Sequence, residues 1–429
     1  YAIFPQWWLR MKPLAEEVLK GLRRGDIAFV PERWKKVNID WLENVKDWNI
    51  SRQLWWGHQI PAWYCEDCQA VNVPKPERYL EDPTSCEACG SPRLKRDEDV
   101  FDTWFSSALW PLSTLGWPEE TEDLKAFYPG DVLVTGYDIL FLWVSRMEVS
   151  GYHFMGERPF KTVLLHGLVL DEKGQKMSKS KGNVIDPLEM VERYGADALR
   201  FALTYLATGG QDIRLDLRWL EMARNFANKL YNAARFVLLS REGFQAKEDT
   251  PTLADRFMRS RLSQGVEEIT ALYEALDLAQ AAREVYELVW SEFCDWYLAA
   301  AKPALKAGNA HTLRTLEEVL AVLLKLLHPM MPFLTSELYQ ALTGKEELAL
   351  EAWPEPGGRD EEAERAFEAL KQAVTAVRAL KAEAGLPPAQ EVRVYLEGET
   401  APVGENLEVF RFLARADLLP ERPAKALVK

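Results

Sequence analysis

Positive charge is in short supply. Lysine and arginine number 52 against 66 aspartates and glutamates, a formal net charge of −14, so no global basic field is available to hold a polyanion. Any nucleic-acid partner must be held on local patches. No apolar run approaches the roughly 20 residues that a helix needs to span a bilayer, and no signal-peptide pattern opens the chain. It begins at Tyr1 rather than at methionine, and Tyr1-Ala-Ile-Phe-Pro-Gln-Trp-Trp reads as the interior of a longer polypeptide. Histidine is scarce, with five copies at 58, 153, 166, 311 and 328. The ten asparagines and twelve glutamines, set against abundant Arg, Glu, Leu and Ala, lean toward a thermophilic composition. Cysteine is also rare. Four of the five lie in two C-x-x-C pairs, which speaks for a reducing, cytoplasmic compartment and a metal site rather than a disulfide framework.

What is present fits a globular chain. The 429 residues suffice for two or three domains, and 48% apolar with 28% charged residues excludes disorder. No internal repeat or low-complexity tract breaks it. The spacing Cys65-x-x-Cys68, seventeen residues, Cys86-x-x-Cys89 is that of a zinc ribbon. Each C-x-x-C turn presents two thiolates to one tetrahedral ion, and four thiolates leave no open position, so Cys65, Cys68, Cys86 and Cys89 predict structural Zn2+. Cys294 lies far away and reads as a small buried residue.

The early part predicts a helix over Lys12–Arg24 stopped by Gly25, a short helix over Trp41–Trp48 and a strand over Gly57–Tyr64. A helix carrying Trp104 starts in Asp99–Ser107. Asp131–Gly136 reads as a strand and Tyr137–Val144 as a helix, with Ile139 and Trp143 on one face at i and i+4. In a nucleotide-binding parallel sheet, ligands sit beyond the carboxyl ends of strands. Gly136 and Asp138 occupy such a place: glycine permits close backbone approach, and a carboxylate can take ribose hydroxyls. Thr162–Leu170 is a second apolar strand, broken in charge by a loop in which Lys173, Lys176, Lys179 and Lys181 fall within nine residues. An amphipathic helix from Leu188 to about Thr208 follows. Strand, lysine loop and helix together offer backbone N–H groups and ammonium charge to a polyphosphate.

From Asp216 the composition turns to long amphipathic helices, expected at Asp216–Ser240, Leu253–Leu276, Asp277–Ala301, His311–Leu342 and Asp360–Ala384. In the first, Ala223, Phe226, Ala227, Leu230, Ala233, Ala234 and Val237 form the apolar stripe. The other face carries Asn225, Asn228, Lys229, Asn232, Arg235 and Phe236. Asparagine is a poor helix former, yet three of the chain's ten sit here. An exposed Phe beside Arg and Asn suits base stacking and base-edge hydrogen bonding.

The string Lys176-Met-Ser-Lys-Ser180 is identical to the second signature of class I aminoacyl-tRNA synthetases. Asp47-Trp-Asn-Ile-Ser-Arg-Gln-Leu-Trp-Trp-Gly-His58 resembles the valyl branch of that family, and the likeness runs through Leu327-His-Pro-Met-Met-Pro-Phe333 to about Trp353. The resemblance implies an α/β fold: the second half of a Rossmann-type nucleotide-binding domain with a small zinc ribbon, followed by an all-α anticodon-binding bundle. The expected divisions are 1–41 (a return segment), 42–187 (the catalytic half, with the ribbon at 64–98), 188–215 (a connection), 216–353 (the bundle) and 354–429 (a tail with the strand-like Glu391–Leu396). It implies that Lys176 and Lys179, with Ser178 and Ser180, close on the triphosphate of ATP with Mg2+. Gly136, Asp138, His166, Gly167, Met177 and Lys179 would contact ATP. Trp104, Ile139 and Trp143 would wall the valine pocket, and Asn228, Lys229, Asn232, Arg235 and Phe236 would read the anticodon of tRNA(Val). A monomer with no membrane partner is expected. The His-Ile-Gly-His-type first signature is absent from this stretch of sequence, and so is an editing domain. The chain therefore reads as a C-terminal-half fragment, inactive alone. The isoleucyl branch is the alternative within the family; a non-catalytic tRNA-binding module is the alternative outside it.

Overall fold

A computed structural model describes residues 5–178, 181–398 and 400–423. Two units separate in it: one holds residues up to Leu168 together with Gly209–Gln211, the other holds Val169–Thr208 and the chain from Asp212 onward.

The first unit is built on a parallel sheet ordered Ala28–Val30, Phe160–His166, Gly130–Gly136. In the middle strand Val163 and Leu165 are fully buried. A parallel neighbour needs a crossover, here supplied by the helix Ser145–Met155 between Gly136 and Phe160. The helix Met11–Arg24 forms as expected. Met11, Ala15, Val18, Leu19 and Leu22 make one buried face, and Gly25 ends it at φ 87°, a left-handed turn that favours glycine. In chain order between this helix and the strand Gly130–Gly136 comes a small antiparallel sheet, Val71–Asn72, Trp63–Cys65 and Leu94–Arg96. Inside the unit, Asn38 donates to both oxygens of the fully buried Glu148 at 3.1 and 2.8 Å. Ser145 Oγ in turn donates to Asn38 Oδ1 at 2.6 Å.

Several expectations fail here for local reasons. Trp41–Trp48 is not a helix: the helix is Arg33–Glu43, and Trp48–Asn49 is a short strand. The strand expected over Gly57–Tyr64 is reduced to Trp63–Cys65, because its earlier part makes one isolated bridge, Gln59 to Val100. Tyr137–Val144 is a 3₁₀ turn, Tyr137–Ile139, followed by a π segment, Leu140–Val144. The α-helical i, i+4 argument for Ile139 and Trp143 therefore does not apply. The apolar run Thr162–Leu170 is two strands, split at Gly167-Leu168. Val169–Leu170 pairs with Ile213–Arg214 in the second unit.

The second unit is a helical core with appended pieces. Leu217–Arg241 and Leu253–Glu274 lie where the apolar spacing placed them, and so does Glu361–Glu383. The expected Leu188–Thr208 helix breaks into Pro187–Tyr194 and Ala196–Leu206 at Gly195, φ 94°. The expected Asp277–Ala301 becomes Leu278–Glu287, a π stretch Leu288–Tyr297 and Leu298–Ala307. His311–Leu342 divides into Ala310–Leu327 and Pro332–Thr343, as Pro332 lacks the N–H that a continuous helix requires. One buried carboxylate ties three of these segments. Asp255 forms a capping box with Thr252 and accepts the hydroxyls of Tyr297 and Thr312, both at 2.7 Å. The tail is fastened by Lys381, whose buried ammonium donates to the carbonyls of Pro388, Gln390, Ala414 and Arg415 at 2.6–3.3 Å. Beside it Val392–Val394 pairs in parallel with Ala416–Leu418, within the stretch read as strand-like. No described helix is long and apolar enough to cross a membrane.

Candidate functional site

The lysine loop is shaped by two short polar side chains that sequence reasoning passed over. Asp171 Oδ1 accepts the backbone N–H groups of Lys173 at 3.0 Å and Gln175 at 2.7 Å. Its Oδ2 accepts the amide of Asn183 at 2.8 Å. Asn183 Oδ1 accepts the N–H of Ser178 at 2.9 Å. Gly174 turns the loop at φ 74°, with the Arg214 guanidinium where a side chain would stand. Met177 Sδ takes the N–H of Ile185 at 3.4 Å. The Asn183 amide, then the Gln175 N–H, hold Asp171 below the usual carboxylate range. Lys173, Lys176 and Lys181 are exposed. Lys179 and Ser180 lie outside the described residues.

In the first unit, Gly136 and His166 are register partners at the carboxyl ends of neighbouring strands. A side chain at Gly136 would meet Asp138 Oδ1 at 2.7 Å and His166 Cε1 at 3.8 Å, so these three residues cluster. His166 is exposed and its Nδ1 is 2.9 Å from the Gly167 carbonyl. Trp104, Ile139 and Trp143 are each half-buried. Asp102 caps the helix Thr103–Ser107 through the Trp104 N–H at 2.7 Å, and is itself paired with Arg52. Trp143 Nε1 donates to the Ser107 carbonyl at 3.1 Å, which fixes that indole beside the helix bearing Trp104. The ring packed on Trp143 is Trp110, edge-on at 5.9 Å, a residue sequence reasoning did not select.

The four ribbon cysteines converge: all four sulfurs lie within 4.8 Å of one another. Cys65 Sγ is 3.6 Å from Cys89 Sγ and Cys68 Sγ is 3.5 Å from Cys86 Sγ. Thiolates about 2.3 Å from a tetrahedral zinc stand about 3.8 Å apart, so the donor set fits that ion. Gln69 at φ 61° and Gly90 at φ 74° make the two knuckle turns, and the Asn72 amide approaches Cys86 Sγ at 3.8 Å. Burial opposes ionisation of Cys86, but the N–H groups of Cys89 and Ala88 outweigh it and bring its pKa to about 6. Cys294 is half-buried, and burial pushes its thiol up to about 12.

On the helix Leu217–Arg241 the apolar stripe is buried as expected, apart from a half-buried Ala227. The polar face is less open than expected. Phe236 is half-buried rather than exposed, with the Lys302 ammonium 5.4 Å from its ring centroid. Lys229 pairs with Asp295 at 2.6 Å and lies 3.6 Å from the Trp290 ring centroid, so it is engaged within the bundle. Asn232 donates to the Asn228 carbonyl one turn back at 2.8 Å. Asn228, Asn232 and Arg235 are exposed.

The description "tRNA synthetases class I (I, L, M and V)" matches residues 1–216, and "Anticodon-binding domain of tRNA ligase" matches residues 255–396. Helix Leu217–Arg241 falls between the two. The chain is similar to valine–tRNA ligase of Thermus thermophilus, 98% identical over all of this chain and 50% of that protein. The enzyme of Deinococcus radiodurans is 51% identical over 99% of this chain and 50% of its own length. The chain thus spans about half the length of the curated relatives it matches. Methionyl-tRNA synthetase of Mycobacterium tuberculosis shares the fold with a TM-score of 0.63 at 20% identity, over 82% of this chain and 68% of that one. LeuRS of Agrobacterium radiobacter K84, in complex with tRNA and LeuAMS, does so with a TM-score of 0.59 at 23% identity, over 75% of this chain and 43% of that one. With a family match over half of its residues, the chain belongs to the class I tRNA synthetases.

Proposed function

We propose that the polypeptide carrying this chain activates valine with ATP and transfers it to tRNA(Val). The observation that carries this reading is the Lys176-to-Ser180 string on a loop braced by Asp171 and Asn183, in a chain of this family. In the first step a carboxylate oxygen of valine attacks the α-phosphorus of ATP, the bond to the β-phosphate breaks, and pyrophosphate leaves with Mg2+. In the second, a ribose hydroxyl of the terminal adenosine attacks the acyl carbon and AMP leaves. Such chemistry asks the protein for positioning and charge stabilisation more than covalent work. Lys176 and Lys179 would hold the triphosphate as charge moves onto the pyrophosphate, with Ser178, Ser180 and Met177 beside them. Gly136, Asp138, His166 and Gly167, at the strand ends of a Rossmann-type sheet, would take the nucleoside. Trp104, Ile139 and Trp143 would form a slot that accepts valine and is too small for isoleucine.

Zinc held by Cys65, Cys68, Cys86 and Cys89 would be structural, fixing the two knuckles of the ribbon. Asn228, Asn232, Arg235 and Phe236 would meet the anticodon, with Lys229 orienting the helix through Asp295. The reading places the protein in the cytoplasm as a monomer.

The experiment is ATP–pyrophosphate exchange by the polypeptide at the full length of its relatives, with valine and isoleucine in parallel. Strong exchange with valine and weak exchange with isoleucine supports the reading. The reverse order assigns the isoleucyl activity instead, and exchange with neither amino acid leaves a tRNA-binding module.

A further inference from the structure

The core of the first unit is apolar around Met11, Val18, Leu22, Leu42, Leu140 and Val144, all fully buried. Three polar side chains lie at the same depth, Asn38, Ser145 and Glu148. Burying them costs free energy that aliphatic side chains of similar size would not, so stability alone does not account for them. They join in one chain of hydrogen bonds. The Asn38 amide donates to Glu148, and Asn38 Oδ1 accepts from Ser145 Oγ, which also stands 3.2 Å from the Leu140 carbonyl. That carbonyl already takes the Ser145 N–H, the bond that closes the π segment Leu140–Val144. The backbone changes register twice here, from the 3₁₀ turn Tyr137–Ile139 to the π segment and on to the helix Ser145–Met155. Wide turns of this kind are rare and concentrate at functional sites. Helix Arg33–Glu43 grips the segment at three points. Trp34 stacks on Tyr137 and Trp41 on Phe141, both with centroids 5.2 Å apart, and Asn38 between them reaches Ser145. Trp143, within the segment, is tied elsewhere, to the Ser107 carbonyl.

We propose that Asn38, Ser145 and Glu148 are positioning residues for amino-acid selection: their buried hydrogen bonds fix the π register of Leu140–Val144 and thereby the gap between Ile139 and Trp143. The inference rests on the valine-slot reading above and extends it from the walls to the groups that hold them. All three side chains are fully buried, so they act through the segment rather than on the amino acid. One methylene separates valine from isoleucine, and rejecting it requires a slot that does not widen. Ring stacking tolerates small slides, whereas hydrogen bonds weaken steeply away from their preferred line. An apolar trio of the same volume fills the space but leaves the segment free to relax toward an ordinary α-helix, which turns its side chains to new directions.

The test is ATP–pyrophosphate exchange by the full-length protein, with kcat and KM for valine, isoleucine and ATP measured beside thermal melting. Asn38→Leu combined with Glu148→Met replaces the buried pair by apolar groups and should leave Tm unchanged or raised. It should nonetheless raise KM for valine about tenfold, leave KM for ATP alone, and lower the valine-to-isoleucine ratio of kcat/KM about tenfold. Ser145→Ala keeps the backbone bond to Leu140 and should shift the same ratio in the same direction; it decides alone if the double variant does not fold. Glu148→Gln, which keeps an oxygen for the Asn38 amide, should restore the ratio lost in Glu148→Met. Trp143→Ala is the reference for a wall removed outright. A ratio at the parent's value in the double variant and in Ser145→Ala, while Trp143→Ala lowers it, would overturn the positioning role and keep the slot. A fall in Tm and in kcat for both amino acids with the ratio intact would overturn it too, leaving the network merely structural. A ratio indifferent to Trp143→Ala as well would overturn the slot reading with it.

Discussion

Asn183 donates its side-chain amide to Asp171 at 2.8 Å, and these two residues close the lysine loop on itself from either end. Asp171 also gathers the N–H groups of Lys173 and Gln175, and Asn183 gathers that of Ser178. Among the described residues, backbone groups and these two short side chains hold the loop's shape. A preorganised loop presents its charge without first losing the entropy of ordering.

Asn183→Ala should therefore slow adenylate formation about tenfold by loosening the loop, with little change in Tm because the loop is largely exposed. The Asp171 contribution runs with its lowered pKa: present above the ordinary carboxylate value, and lost as pH falls below it. Pyrophosphate exchange measured beside thermal melting checks this. Unchanged exchange would show that the brace is incidental.

The lysines of this loop were legible in the sequence because a charge run and an exact string are local. The Asp171–Asn183 brace was not, since a polar pair twelve residues apart follows neither helical nor strand period. The same distinction explains the fold. Met11–Arg24 and Leu253–Glu274 announce themselves by apolar spacing and end signals. The π segments Leu140–Val144 and Leu288–Tyr297 have no such signature. Thr162–Leu170 read as one strand because apolar content does not reveal which sheet a residue joins. The exposure of Phe236 was misjudged because Lys302, which covers it, comes from a different helix.

The ribbon should carry about one zinc per chain. Cys65→Ser or Cys89→Ser should lower metal content and thermal stability together, since four converging thiolates couple binding to folding. Metal analysis returning a full zinc equivalent in the Cys65→Ser protein would contradict the assignment.

Glu148 gives the first unit a pH dependence. Complete burial raises its pKa from 4.5 to about 8, with Asn38 opposing. The unfolded chain releases this proton near its ordinary value and the folded one near pH 8. The contribution of Glu148 to stability is therefore fully present below the ordinary carboxylate value, declines as pH rises through that window, and is lost above it. Glu148→Gln, which keeps a partner for Asn38, should flatten this decline, raising Tm by several degrees at pH 8 and leaving it nearly unchanged at pH 4.5. A melting profile with the same slope in both proteins would show that Glu148 does not titrate there.

Arg235→Ala should weaken the cognate tRNA more than one altered in the anticodon, because base-edge bonds discriminate and phosphate bonds do not. Asn232→Ala should do the same through its lost amide. Phe236→Ala should cost roughly 1–3 kcal/mol of tRNA affinity through stacking, and some folding stability as well, since the ring is half-buried. Affinity and Tm read on the same variants separate the two. Equal weakening across all anticodons for Arg235→Ala would reduce it to a backbone contact.

We assign to the Lys176–Ser180 loop the stabilisation of charge on ATP during valine activation. Its most direct test is valine-dependent ATP–pyrophosphate exchange by the full-length protein and its Lys179→Ala variant, with tRNA affinity measured on both. A contact made chiefly in the transition state changes rate more than ground-state binding. Exchange should be slower by several orders of ten with tRNA affinity nearly unchanged; tRNA affinity falling in step with the exchange rate would instead make the loop a nucleic-acid patch.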